Sequence, residues 1–308
     1  MSTAAATTGR PRRRNWRSAL EGYACISPWL FGFFTLTLGP FLASFYMSFT
    51  EWPLLASPRW IGLYNYQRLL FIDKKFGISM FNTTYYTVFS VPLGLVLAFF
   101  LAILLNQKVH GMPLFRTLFY VPSVTSGVAT AILWAALFDA RFGLINSALA
   151  AIGIKGPIWF GSRIWSKPAL IFMSLWYVGG EVVIFLAGLQ GIAQHLYEAA
   201  EVDGAGSWAR LRHITVPMMT PTIFFNLVMG ILGSFQVFTN AFVMTNGGPA
   251  DSTLFVMLYL YRNAFSYFQM GYASAMAWIF FLVLLVFTGV QLATSRRWVY
   301  YEEPAGGA

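Results

Sequence analysis

Charge is what this sequence has least of. Only 10% of its 308 residues are Asp, Glu, Lys or Arg, where soluble domains carry about 25%. The 20 basic and 11 acidic residues cannot cover a soluble fold of this size, and 57% of the chain is apolar and 18% aromatic. With a mean hydropathy of +0.62, the surrounding solvent is mostly lipid. Cysteine is almost absent: Cys25 alone excludes an internal disulfide or a cysteine metal cluster, and its apolar run reads as a site for a packed thiol. The three histidines, His110, His195 and His213, fall in polar connections, and no two of them form a metal-ligand pair at helical spacing with a carboxylate partner. No span holds a histidine that could activate a nucleophile, which argues against a membrane enzyme. No GxxxxGK[ST] run is present, so the chain has no phosphate loop of its own for a nucleotide. The net charge of +9 comes from basic residues scattered between apolar segments, with no basic stripe interleaved with aromatics, which removes nucleic acid as a partner.

What the sequence has instead is long apolar runs. A helix needs about 20 mostly apolar residues to cross a hydrocarbon layer about 30 Å thick. Six stretches qualify, approximately Tyr23 to Phe49, Phe81 to Leu105, Thr117 to Phe138, Pro168 to Gln190, Pro221 to Thr245 and Gly271 to Thr294. The fold class expected is therefore all-α, a polytopic membrane protein with six transmembrane helices. Arg10, Arg12, Arg13, Arg14 and Arg17 ahead of the first run imitate a signal peptide. That run is too long for one and no small-residue cleavage site follows, so it reads as a retained span. Pro40 and Pro92 within spans predict kinks. Six spans place both termini on one side, and basic residues favour that side by 11 to 9, with the first tail weighing most. Both termini are expected in the cytoplasm. The expected organisation is a basic cytoplasmic tail over residues 1–22, the six-span body over 23–294 and a second cytoplasmic tail over 295–308.

The most informative polar segment joins spans four and five, over residues 191–220. Its wealth of helix formers predicts structure rather than slack chain. Tyr197 to Asp203 reads as a short helix ended by Gly204 in a left-handed conformation, and Ser207 as the cap of a second helix from Trp208 to His213. Pro217 is expected to end that helix, and Pro221 to open span five. Small residues here, such as Ala199 and Ala200, permit close approach of a partner's groove, although the pattern also suits an ordinary amphipathic connector.

Glu198, Ala199, Ala200, Asp203, Gly204 and Ala205, followed by Ile214 and Pro217, resemble the coupling signature of the inner-membrane permeases of binding-protein-dependent ABC importers. The spacing is kept throughout, with Val216 in place of the usual leucine. Thr245-Asn246-Gly247-Gly248-Pro249 and the basic Arg296-Arg297-Trp298 resemble the carbohydrate branch, of the maltose and glycerol-3-phosphate type. The resemblance covers nearly the whole chain, with its core from about 76 to 294. It implies a type I ABC importer permease fold in a prokaryotic inner membrane. It also implies a second, related permease subunit, two ATPase subunits that bind ATP and Mg, and an extracytoplasmic binding protein. The chain itself is then no enzyme and binds no cofactor. The Thr-Asn-Gly-Gly-Pro turn further resembles the subunit that contacts sugar in the maltose case. An ion-gradient-driven secondary transporter would need more intramembrane carboxylates than Glu181 supplies; a non-transporting scaffold is the other alternative.

Two intramembrane groups of polar residues are candidates for a pathway. Glu181 is the acidic residue clearly within a span, with Ser174 and Tyr177 on the same helical face. The group suits either a substrate wall or a carboxylate packed against a partner. On span five, Gly233, Gln236 and Asn240 share an arc with Asn226 and Met229, and the amides there could meet sugar hydroxyls or bond neighbouring helices. With no Lys or Arg deep in a span, neutral saccharides or polyols are favoured over anionic solutes.

Overall fold

The computed structural model describes residues 16–53, 57–107 and 109–300. Arg10, Arg12, Arg13, Arg14 and most of the expected N-terminal tail, together with residues 301–308, lie outside the described residues. α1 (Trp16–Gly32) runs through a π-turn at Phe33–Leu38 into α2 (Gly39–Ser48). A small antiparallel ribbon, β1 (Thr50–Glu51) with β2 (Arg59–Trp60), and the single turn α3 (Tyr64–Gln67) lead to α4 (Lys74–Leu105). Next come α5 (Met112–Val124), α6 (Gly127–Leu137), α7 (Leu144–Ala151), α8 (Ser166–Ser174) and α9 (Gly179–Gly191). The connection holds α10 (Gln194–Val202) and α11 (Ser207–Arg210), followed by α12 (Val216–Phe235), α13 (Val256–Tyr261) and α14 (Met270–Ser295).

Four expected spans are continuous helices: Leu20–Ser48, Lys74–Leu105, Ser207–Phe235 and Met270–Ser295. The other two are broken. α5 and α6 meet at 98°, and Ser166–Tyr177 meets α9 at 48°, so six spans result when each bent pair counts as one. Pro40 follows the first π-turn, where the widened register frees its neighbouring carbonyls. Pro92, by contrast, sits inside an unbroken α4. Cys25 is exposed on α1 rather than packed.

α4 is the central post, packing on α9 and α12, while α14 lies against α2. Near the α10 end of the bundle, Ala98 and Ala102 leave room for Phe185 and Met219 to pack fully buried beside α4. Gly179 permits another close crossing, since a Cβ there would stand 2.3 Å from the Phe119 carbonyl oxygen of α5. At the opposite end, Phe255, Leu258 and Met276 form a second core with Phe235. Asp73 anchors that end: its Oδ1 caps α4 at the amides of Lys75 and Phe76, and its Oδ2 accepts from Tyr259 at 2.6 Å and Tyr272 at 2.5 Å. Burial pushes its carboxyl up, but these four hydrogen bonds together hold it below its ordinary value.

Candidate functional site

Three helix breaks meet around one cavity. The first lies at Thr125–Ser126, between α5 and α6, in the run Pro122-Ser123-Val124-Thr125-Ser126-Gly127. The second follows a 3-10 turn at Leu175–Tyr177, just before Gly179-Gly180. The third is at Gln236, where α12 stops and the chain resumes a helical path only at Thr239. At membrane depth, backbone groups freed from a helix ladder need protein or water as partners, so breaks are tolerated where they line a wet space. The space here has a volume of about 410 Å³.

Its wall takes Tyr86 and Ser90 from α4, Gly127 from α6, Ser174, Tyr177 and Glu181 from the second break, and Gly233, Thr239 and Asn240 from the third. The hydroxyls of Ser90 and Tyr177 are buried without a hydrogen-bond partner among the described residues. Such groups cost about 1 to 3 kcal/mol each unless water or a solute satisfies them. Among the described residues the wall therefore offers hydroxyls, one carboxyl and one amide, with no cation.

Of the pathway candidates read from the sequence, Ser174, Tyr177, Glu181, Gly233 and Asn240 all reach this cavity. Gln236 does not. The expectation of a straight span five to Thr245, with Gln236 and Asn240 one turn apart on a single face, is overturned by the break. Gln236 turns outward, exposed, and donates to the Leu232 carbonyl at 3.1 Å. Asn226 is buried beyond the cavity wall, its amide nitrogen unpartnered among the described residues. Ser90, Gly127 and Thr239 went unnoticed in the sequence, and the cluster Pro122 to Gly127 was the available signal for the first break.

The connection at the α10 end is fully built. α10 closes with Gly204 at φ +77°, its amide donating to the Glu201 carbonyl and that of Ala205 to the Ala200 carbonyl. This is the paired-bond terminus that glycine favours, because L side chains avoid that φ. Glu198, Ala199 and Asp203 are exposed, while Ala200 and Ala205 are half-buried. Arg210 pairs with Glu201, a contact between α10 and α11 that residue spacing did not reveal.

Two expectations about the second helix fail. Ser207 makes no capping bond, since Gly206 stands at the cap position, and Pro217 does not end the helix. A π-turn at Leu211–Thr215 absorbs the ring and the missing N–H, and the helix continues from Ser207 to Phe235. Ile214 and Pro217 are thus half-buried parts of a rod. That rod starts beside the exposed turn and ends at the cavity.

Comparison with known proteins places this architecture. Residues 90–300 match the model of the binding-protein-dependent transport system inner membrane component. The probable ABC transporter permease protein YesP of Bacillus subtilis is 44% identical, over 92% of this chain and 93% of that protein. The lactose transport system permease protein LacF of Rhizobium radiobacter is 34% identical over 91% and 98%. Among solved structures, a bacterial alginate ABC transporter in complex with an alginate pentasaccharide-bound periplasmic protein has a chain of the same fold. Its TM-score is 0.80, with 24% identity over 92% of this chain and 98% of that one.

Proposed function

Because this chain belongs to the family of binding-protein-dependent transport system inner membrane components, we propose that it is one permease subunit of an ATP-driven importer for an oligosaccharide or related polyhydroxy solute. The observation that carries the reading is the continuous 29-residue helix from Ser207 to Phe235. At 1.5 Å per residue such a rod is about 40 Å long; it runs from Ser207, just past the exposed Glu198 to Gly204 segment and tied to α10 by the Arg210–Glu201 pair, to the cavity wall at Gly233. A push on one end is delivered to the other without passing through a flexible loop.

In this mechanism the chain performs no covalent chemistry. Separate ATPase subunits dock on Glu198, Ala199, Asp203 and Gly204, hydrolyse ATP with Mg, and tilt α10, α11 and the rod together. The tilt moves Gly233 and the break at Gln236 against the other two breaks, exchanging an outward-open for an inward-open cavity. A related permease supplies the other half of the pathway, and an extracytoplasmic binding protein delivers the solute. The relatives named for lactose and alginate support a saccharide, and a wall of hydroxyls, one amide and one carboxyl suits one. The end bearing α10 then faces the cytoplasm, with both termini.

Two measurements test this. Purification of the complex is expected to retain ATPase subunits whose hydrolysis rises with solute-loaded binding protein; a chain that purifies alone and carries solute on an ion gradient is a secondary transporter instead. A cysteine at exposed Ser207 is expected to react from the cytoplasmic side and one at exposed Ala250 from outside. Reaction from the same side would refute an odd number of spans between them.

A further inference from the structure

We propose that a recess at the end of the bundle opposite α10 binds a carboxylate, and that the solute is an oligosaccharide carrying an acidic sugar; this rests on the importer reading above. The recess, about 400 Å³, is lined by Lys74, Phe81, Asn82, Arg163, Lys167 and Asp251 among others. Its one acid is engaged elsewhere, since Asp251 lies 3.5 Å from Lys75 on the rim. Among the described residues Lys74, Arg163 and Lys167 have no ion-pair partner. Three like charges gathered around one concave space repel one another, and an anion relieves that repulsion.

Lys167 is held ready for such an anion. Its Nζ donates to Asn82 Oδ1 at 3.0 Å and lies 5.1 Å and 4.8 Å from the ring centres of Phe81 and Tyr85. Asn82 is buried and oriented by its Nδ2, which donates to the carbonyls of Asp251 and Leu254 at 2.8 and 3.1 Å. The ammonium thus spends one donor on a neutral amide. A carboxylate is the stronger acceptor, roughly twofold in energy, and can displace it.

The placement favours a solute over a protein side chain. On α4, Asn82 is one turn from Tyr86 of the central cavity, and on α8, Lys167 is two turns from Ser174 of the same cavity. Seven residues at 1.5 Å put recess and cavity about 10 Å apart along the helix. Among the described residues the cavity carries a carboxyl, Glu181, and no cation. An elongated solute with hydroxyls at one end and an acid at the other matches this reversal of charge, hydroxyls donating to Glu181 and the carboxylate resting on Lys167 and Arg163. This differs from the neutral solute favoured by the sequence, where the three cations, up to 93 positions apart, read as unrelated loop charges.

The test uses the purified complex, with Cys25→Ser as background and Ala250→Cys as a reporter on the recess. Labelling by an uncharged maleimide is measured alone, with millimolar digalacturonic acid, and with its carboxyl-reduced digalactose counterpart. The acidic disaccharide is expected to slow labelling about fivefold and the neutral one to leave it unchanged. Lys167→Gln, which keeps a donor for Asn82 but loses the charge, is expected to abolish the protection. Equal protection by both sugars, protection by neither, or protection that survives Lys167→Gln overturns the proposal. Shielding by the sugar-free binding protein, with none from either disaccharide, assigns the cations to docking and also overturns it. Retention of the ATPase subunits, followed in the same preparations, reports on the importer reading separately.

Discussion

Replacing Gly204 by proline is expected to abolish uptake while leaving the chain inserted at normal abundance. Gly204 sits at φ +77° and its amide donates to the Glu201 carbonyl. Proline fixes φ near −65° and has no N–H, so the variant loses both the turn and its bond, at a cost of about 3 kcal/mol or more. The damage is local because the residue is exposed at the tip of the connection. Its effect is on direction: α10 leaves the turn at a different angle from α11, and the proposed docking face on α10 no longer moves as one piece with the rod. Gly204→Ala separates strain from bulk. A Cβ there meets nothing within 4 Å, so alanine pays only the left-handed penalty of about 1 to 2 kcal/mol and should keep most uptake. Glu198→Lys, which reverses an exposed charge that accepts from Gln194 at 2.8 Å, should release the ATPase subunits without disturbing the fold. Normal uptake by Gly204→Pro in reconstituted vesicles would remove the coupling role from this turn.

Gly233→Leu is expected to have the next largest effect, a loss of uptake of more than tenfold with ATPase assembly intact. A Cβ at Gly233 meets no atom within 4 Å, and the residue lines the cavity of about 410 Å³. Leucine therefore adds four carbons to the open space rather than to packed protein, and the solute must give them room. The neighbouring Gly230 is a different case, because its Cβ would come within 3.1 Å of Val91 and a side chain there disturbs the α4 contact. Asn240→Leu removes one amide from the wall, worth on the order of 1 kcal/mol or about fivefold in uptake. Gln236→Leu, outside the cavity, is expected to stay within about twofold of the parent, as a change of a few tenths of a kcal/mol on an exposed side chain would give. Uptake and ATPase activity measured together for these variants decide the point. A severe loss for Gln236→Leu beside normal transport by Gly233→Leu would move the pathway to another face of α12.

How far the sequence reached follows from what each kind of residue can report. The apolar runs marked which segments enter lipid, because transfer of about 20 residues is a sum over composition and needs no knowledge of neighbours. Gly204 was legible as a left-handed terminus for a similar reason: its constraint is set by its own backbone. Glu181 with Ser174 and Tyr177 was legible from helical spacing, and all three line the cavity. Where the helices stop was not. A hydropathy window averages over Thr125-Ser126 and Gln236, and whether a ladder bond can open there depends on the polar-lined space that the other two breaks create. Pro217 shows the converse, a strong local stop signal overridden when a π-turn and the surrounding packing carry the helix on. The Lys167 to Asn82 bond spans 85 positions, and the Arg210 to Glu201 pair crosses a glycine turn. Membrane insertion, the span pattern and the left-handed turn at Gly204 are thus properties of local sequence. The cavity, the rod and the cationic recess are decided by tertiary structure, because each depends on groups from separate segments supplying or withholding partners for one another.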